Sequence, residues 1–203
     1  MLPKIALAYT NRISADTFAE FRRLVERDGV SLQIEEREED GPYAGLEWLI
    51  PTAVIVFIGK AYFETFLKEM GKDHYTLLKA GLKSLYARLL GPEAPEVVVF
   101  STAGKSSPDQ PYSLLYSLLA EGDSGVRFKL LLQRSATQEE YEATISAFLA
   151  FLDAYHAGEL EPAVVHELQN TRVIGKTLLL GYNPSLQRVQ PVDPLSSKGV
   201  NAA

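Results

Sequence analysis

The chain has 203 residues, of which 46% are hydrophobic and 23% charged, with a net charge of −6 and no cysteine. This composition suits one sizeable core or two small ones and excludes wholesale disorder. It also excludes disulfides, thiol catalysis and cysteine-ligated zinc, and the acidic balance speaks against a nucleic-acid surface.

The opening MLPKIALAYT lacks the charged start and longer apolar run of a signal peptide. No apolar stretch approaches the roughly 18 residues that a membrane-crossing helix needs. A cytoplasmic protein without a membrane or nucleic-acid partner is expected.

Lys4 to Thr10 reads as a buried strand ending in the polar loop Asn11-Arg12. Ser14 can cap a helix with Phe18, Phe21, Leu24 and Val25 on one face, and Gly29 is placed to end it. Ser31 to Glu36 alternates as a strand exposed on one side does. The acidic loop Glu38-Glu39-Asp40-Gly41-Pro42 leads to a short helix near Leu46, Trp48 and Leu49. Thr52 to Ile58 is a continuous β-branched and aromatic run, the mark of a strand covered on both faces. Gly59 follows it, and an amphipathic helix carrying Glu64, Lys68 and Glu69 begins there. Lys60, Lys68 and Lys72 recur along that region, but acids interrupt them as on a solvated helix face.

Leu78, Leu82, Leu85 and Leu89 repeat on one helical face until Gly91-Pro92 stops the pattern. One bent helix or two helices both fit Gly71 and Asp73 before it. Glu96 to Ser101 and Arg127 to Gln133 read as further strands, with a short helix over Tyr112 to Ala120 between them. Thr137 and Glu140 form a capping box for a helix bearing Tyr141, Ile145, Phe148, Leu152 and Tyr155, ended by Gly158.

Five strands alternating with helices predict an α/β domain over residues 1–158. The expected sheet is a flavodoxin-like, doubly wound, five-stranded parallel one with helices on both sides. Residues 159–203 read as a C-terminal extension. It holds a hairpin, Lys176–Tyr182 and Leu186–Val192 about Asn183-Pro184-Ser185, and a frayed tail.

Most motifs that carry chemistry are absent. Ala103-Gly104-Lys105-Ser106 has the end of a phosphate loop, but Val99 stands where the motif needs its first glycine. No G-x-G-x-x-G follows the first strand and no G-x-S-x-G elbow occurs. His74, His156 and His166 are far apart and match no metal pattern, so no resident metal or cofactor is expected. His74 after Asp73 reads as a surface cap, and His156 in a last helical turn as a cation suited to the helix dipole. Carboxylates remain: Glu35, Glu36, Glu64 and Glu69 lie near expected strand ends. A glutamate against apolar walls can do acid/base or cation-stabilising work, although most helix glutamates are simply solvated.

In this arrangement the chain resembles a TIR (Toll/interleukin-1 receptor) domain. Ala8-Tyr9-Thr10 stands where that family's first strand ends in a Ser-Tyr-like pair. Asp40-Gly41-Pro42 through Trp48 resembles its acidic loop and short helix, and Gly59-Lys60-Ala61-Tyr62 with Phe66 to Glu69 resembles its third-strand phrase. The motif likeness covers roughly the first seventy residues. The resemblance implies a signalling or defence protein, as in bacterial immunity, that binds or cleaves a nucleotide such as NAD. Glu69 would be the catalytic carboxylate, steadying an oxocarbenium-like transition state. Tyr9, Thr10, Asn11, Arg12, Trp48 and Tyr62 would contact the ligand. The alternative is a non-enzymatic TIR-like interaction module, whose acidic loop and hairpin contact a protein partner or a second copy.

Overall fold

The fold is that of a computed structural model, whose described residues are 5–38, 52–66, 72–91, 94 and 111–193. Seven strands form one sheet in the order β2-β1-β3-β4-β5-β6-β7. They are β1 (Ile5–Thr10), β2 (Leu32–Arg37), β3 (Val54–Ile58), β4 (Tyr116–Glu121), β5 (Arg127–Leu130), β6 (Thr177–Asn183) and β7 (Arg188–Pro191). The helices are α1 (Ala19–Val25, after a 3-10 turn at Ala15–Phe18), α2 (Lys72–Leu89), α3 (Gln138–Ala157) and α4 (Pro162–Asn170).

The protein is thus α/β, but its sheet is mixed, which corrects the all-parallel expectation. β1 pairs in parallel with β2, β3 with β4, and β5 with β6. Each such pair runs opposite to the next, and β7 runs opposite to β6. The physical reason lies in the connection after β2. β2 ends and β3 begins at the same end of the sheet, shown by the Thr10 N–H donating to the Ala53 carbonyl at 3.0 Å. A parallel β3 would need the chain to cross back over the sheet first.

The carboxyl ends of β1, β2, β5 and β6 therefore lie at one end of the sheet. Those of β3 and β4 lie at the other.

The expectation of helices on both sides also changes. One core holds alternate strand residues, including Ile5, Leu7, Val54, Val56, Leu118 and Leu130, together with the apolar stripes of all four helices. Among the described residues the helices thus share one sheet face. The other face carries Ile55, Phe57 and Leu119, half-buried, and a small cluster of Leu131, Leu179 and Val192 with Tyr112.

Several local expectations hold. Leu78, Leu82, Leu85 and Leu89 are all fully buried on α2. The Thr137–Glu140 capping box forms in both directions, and Gly158 closes α3 at a φ of 73°. Ser14 accepts from the Asp16 N–H at the start of the 3-10 turn. The hairpin forms from β6 and β7, and β6 pairs with β5, so it extends the sheet.

Others do not. Tyr112 to Ala120 is no helix: Tyr116–Glu121 is a strand, because a slot between β3 and β5 completes both ladders. α1 ends at Val25, before Gly29, and α4 was not expected. The readings over Glu96–Ser101 and Ala103–Ser106 and most of that over Leu46–Leu49 and its acidic loop fall outside the described residues.

Candidate functional site

The first site lies at the carboxyl ends of β1 and β2. Successive strand residues face opposite sides, so Tyr9 enters the core and packs on Phe18 at 4.7 Å between ring centres. Thr10 faces the other way. It is only 6% exposed, yet its Oγ1 has no hydrogen-bond partner among the described residues.

Arg37 stands opposite Thr10 in the β1–β2 register. Its Nη2 donates to the Thr52 carbonyl at 2.5 Å. The Thr52 hydroxyl donates to the Val54 carbonyl at 2.7 Å, and so accepts from Ser117 Oγ, also at 2.7 Å. After Thr10 the chain turns, with the Ile13 N–H on the Thr10 carbonyl at 3.1 Å and Ile13 buried as the anchor. This leaves Asn11 and Arg12 exposed at the rim.

Thr10, Asn11, Arg12 and Arg37 thus offer a hydroxyl, an amide and two guanidinium groups at one strand end. Guanidinium forks match the geometry of phosphate and carboxylate oxygens, and a hydroxyl or amide adds directed donors. Such a set suits an anionic group.

The second strand end, after β3 and β4, holds different chemistry. Tyr62 is fully buried there, in a π-helical turn over Tyr62–Phe66. His74 Nε2 lies 2.8 Å from the Val25 carbonyl and so donates to it, leaving Nδ1 to accept from the Tyr62 hydroxyl at 3.1 Å. The chain Tyr62–His74–Val25 ties the turn to α2 and α1. His74 is no surface cap: it is 4% exposed, and burial holds its pKa below the ordinary histidine value. Burial likewise raises the Tyr62 hydroxyl far above its usual range, so it stays protonated.

Beside this turn, the Lys60 N–H donates to the Glu121 carboxylate at 3.1 Å, and Lys60 Nζ lies 3.9 Å from Glu64. His156 stacks on Phe63. Burial lowers its pKa, outweighing the nearby carboxylates of Glu64 and Asp123. A dipole-favoured cation is therefore not what the fold holds at this helix end.

The two ends do not meet. Thr10 is level with Ala53, and Gly59 lies six residues further along β3, about 20 Å away at about 3.4 Å per residue. Tyr9, Thr10, Asn11 and Arg12 are thus gathered at one end and Tyr62 is in the core at the other. Trp48 and Glu69 fall outside the described residues.

Sequence reasoning missed Arg37, Thr52 and Ser117, whose grouping depends on the strand register. It also missed Lys129, 4% exposed between Leu119 and Leu179, where burial pulls the ammonium down to about 8. A cavity of about 30 Å³ beside Gln133, Tyr141, Thr144 and Tyr182 has room for a water or two and not for a nucleotide.

Among the described residues, no group of three or more His, Asp or Glu could hold a metal ion, and no helix is long and apolar enough to cross a membrane. Compared with family models, with characterised proteins and with solved structures, the chain shows no match.

Proposed function

We propose that the chain is a TIR-like signalling or defence protein that binds a nucleotide such as NAD, with the phosphates held at the carboxyl ends of β1 and β2. The observation that carries this reading is the buried hydroxyl of Thr10, which has no hydrogen-bond partner among the described residues, beside Arg37 at a strand end where Asn11 and Arg12 are also presented. A buried hydroxyl without a partner costs free energy, and a ligand oxygen there would offset that cost. The strand order β2-β1-β3-β4-β5 supports the TIR-like, flavodoxin-like part of the reading, although the strand directions differ.

Binding, not cleavage, is the activity proposed. Tyr62 comes after Gly59, which lies about 20 Å along the sheet from Thr10, and its hydroxyl is engaged by His74. A second reading, the non-enzymatic interaction module, is favoured by the half-buried Ile55, Phe57 and Leu119 on the face that no described helix covers.

Incubation with NAD, following free nicotinamide, separates the cases. The proposal expects none above background. Release that disappears in Glu69→Ala would restore the enzyme reading.

A further inference from the structure

The last turn of α3 meets the turn after β3 in a contact that nucleotide binding does not use. His156 lies face to face with Phe63, ring centres 5.3 Å apart and planes 15° apart, and edge-on to Tyr155 at 5.1 Å. Its ring is hydrogen-bonded to the Glu121 backbone. Nε2 is buried and has no hydrogen-bond partner among the described residues.

A neutral imidazole tolerates this arrangement, because it leaves only a buried lone pair without a donor among the described residues. A protonated ring would present a charged N–H with no acceptor, which is far more costly. The turn held by this stack is π-helical over Tyr62–Phe66, a winding that recurs at functional sites.

The charged groups around the ring come from three elements. Lys60 and Glu64 belong to the turn region, Glu121 and Asp123 to the end of β4, and Tyr155 to α3 itself. Glu121 is occupied by the Lys60 N–H, and the Tyr155 hydroxyl by the Asp123 N–H at 3.1 Å. Glu64 and Asp123 favour the cation, and Lys60 and burial oppose it.

We propose that this contact is a proton-operated latch: neutral His156 holds the Tyr62–Phe66 turn against α3 through the Phe63 stack, and protonation releases the turn. Because the latched form disfavours the cation, the latch is at full strength above about pH 6.5 and weakens as pH falls below it.

Hydrogen–deuterium exchange over residues 59–66, corrected for intrinsic rates and compared at about pH 7.5 and about pH 5, reads the latch directly. Wild type is expected to gain exchange on acidification, by about tenfold for each unit by which the histidine is lowered. His156→Phe keeps a stacking ring without a titrating nitrogen, so its turn should lose most of the acid-induced rise, with His74 supplying what remains. His156→Gln, without a ring, should leave the turn open at both.

The same acid-induced rise in His156→Phe would overturn the proposal, because the titration would then belong to His74. So would flat exchange in wild type. If His156→Phe does not fold, the histidine's own NMR titration in wild type decides: a midpoint at or above about 6.5 refutes the latch.

Discussion

Thr10 and Tyr62 sit at opposite ends of one sheet, because β1 and β3 pair antiparallel, with Ile5 opposite Ile58 and Tyr9 opposite Val54. Tyr62 is fully buried in the core, with its hydroxyl on His74 Nδ1. Tyr62→Phe should cost about 1–3 kcal/mol in urea unfolding, since it strips His74 Nδ1 of its buried donor. NAD affinity should not change. Unaltered stability with weakened NAD binding would place Tyr62 in the site after all.

Thr10→Val is expected to behave in the opposite way. It keeps the shape and removes a buried hydroxyl that no described residue pairs with, so unfolding free energy should hold or rise by up to about 1 kcal/mol. Ligand affinity should fall. A marked loss of stability would mean that the hydroxyl is structurally engaged.

Gly81 lies in the middle of α2, where a Cβ would stand 2.8 Å from Val25 Cγ2 and 3.0 Å from the Phe21 ring. Alanine is the better helix former by about 1 kcal/mol. Here overpacking against α1 should outweigh that gain, giving a net loss of about 1–3 kcal/mol for Gly81→Ala. Thermal unfolding checks the sign, and a more stable variant would show that the α1–α2 approach is loose.

Stability should fall with acid. Burial lowers the pKa of both His74 and His156 in the folded chain, so unfolding takes up protons below the ordinary histidine value. Unfolding free energy should be level between about pH 6.5 and about pH 7.5, below the range in which buried Lys129 titrates, and decline on the acid side of that window. His156→Phe should reduce that decline without abolishing it, because His74 remains. Urea midpoints across this range measure the effect, and a maximum near pH 5 would contradict it.

Much of the fold is legible in residue order. The α2 leucines repeat every three or four residues, and all four are buried. Thr137, Glu140 and Gly158 mark both ends of α3, since capping is a local property of a few residues. Strand direction is not local. Val54 to Ile58 has the same apolar pattern whether it runs with β1 or against it, and only the connection from β2 decides. Tyr116–Glu121 was misread for a related reason, its extended form coming from ladders with β3 and β5.

The candidate site divides in the same way. Thr10, Asn11 and Arg12 are consecutive after an evident strand, so their position could be read directly. Arg37 joins them only through the β1–β2 register, and Ser117 only through β3 and Thr52. His156 was misjudged because a helix-end histidine gives no sign of a Phe63 ring brought over it by another element.

The most direct test of the account is an equilibrium titration of NAD against wild type, Thr10→Val and Arg37→Gln, with free nicotinamide followed in the same samples. The account predicts saturable binding to wild type, an affinity at least about tenfold weaker in each variant, about 1.4 kcal/mol, and no nicotinamide release. Equal affinity in all three proteins, or release of nicotinamide that depends on Glu69, would contradict it.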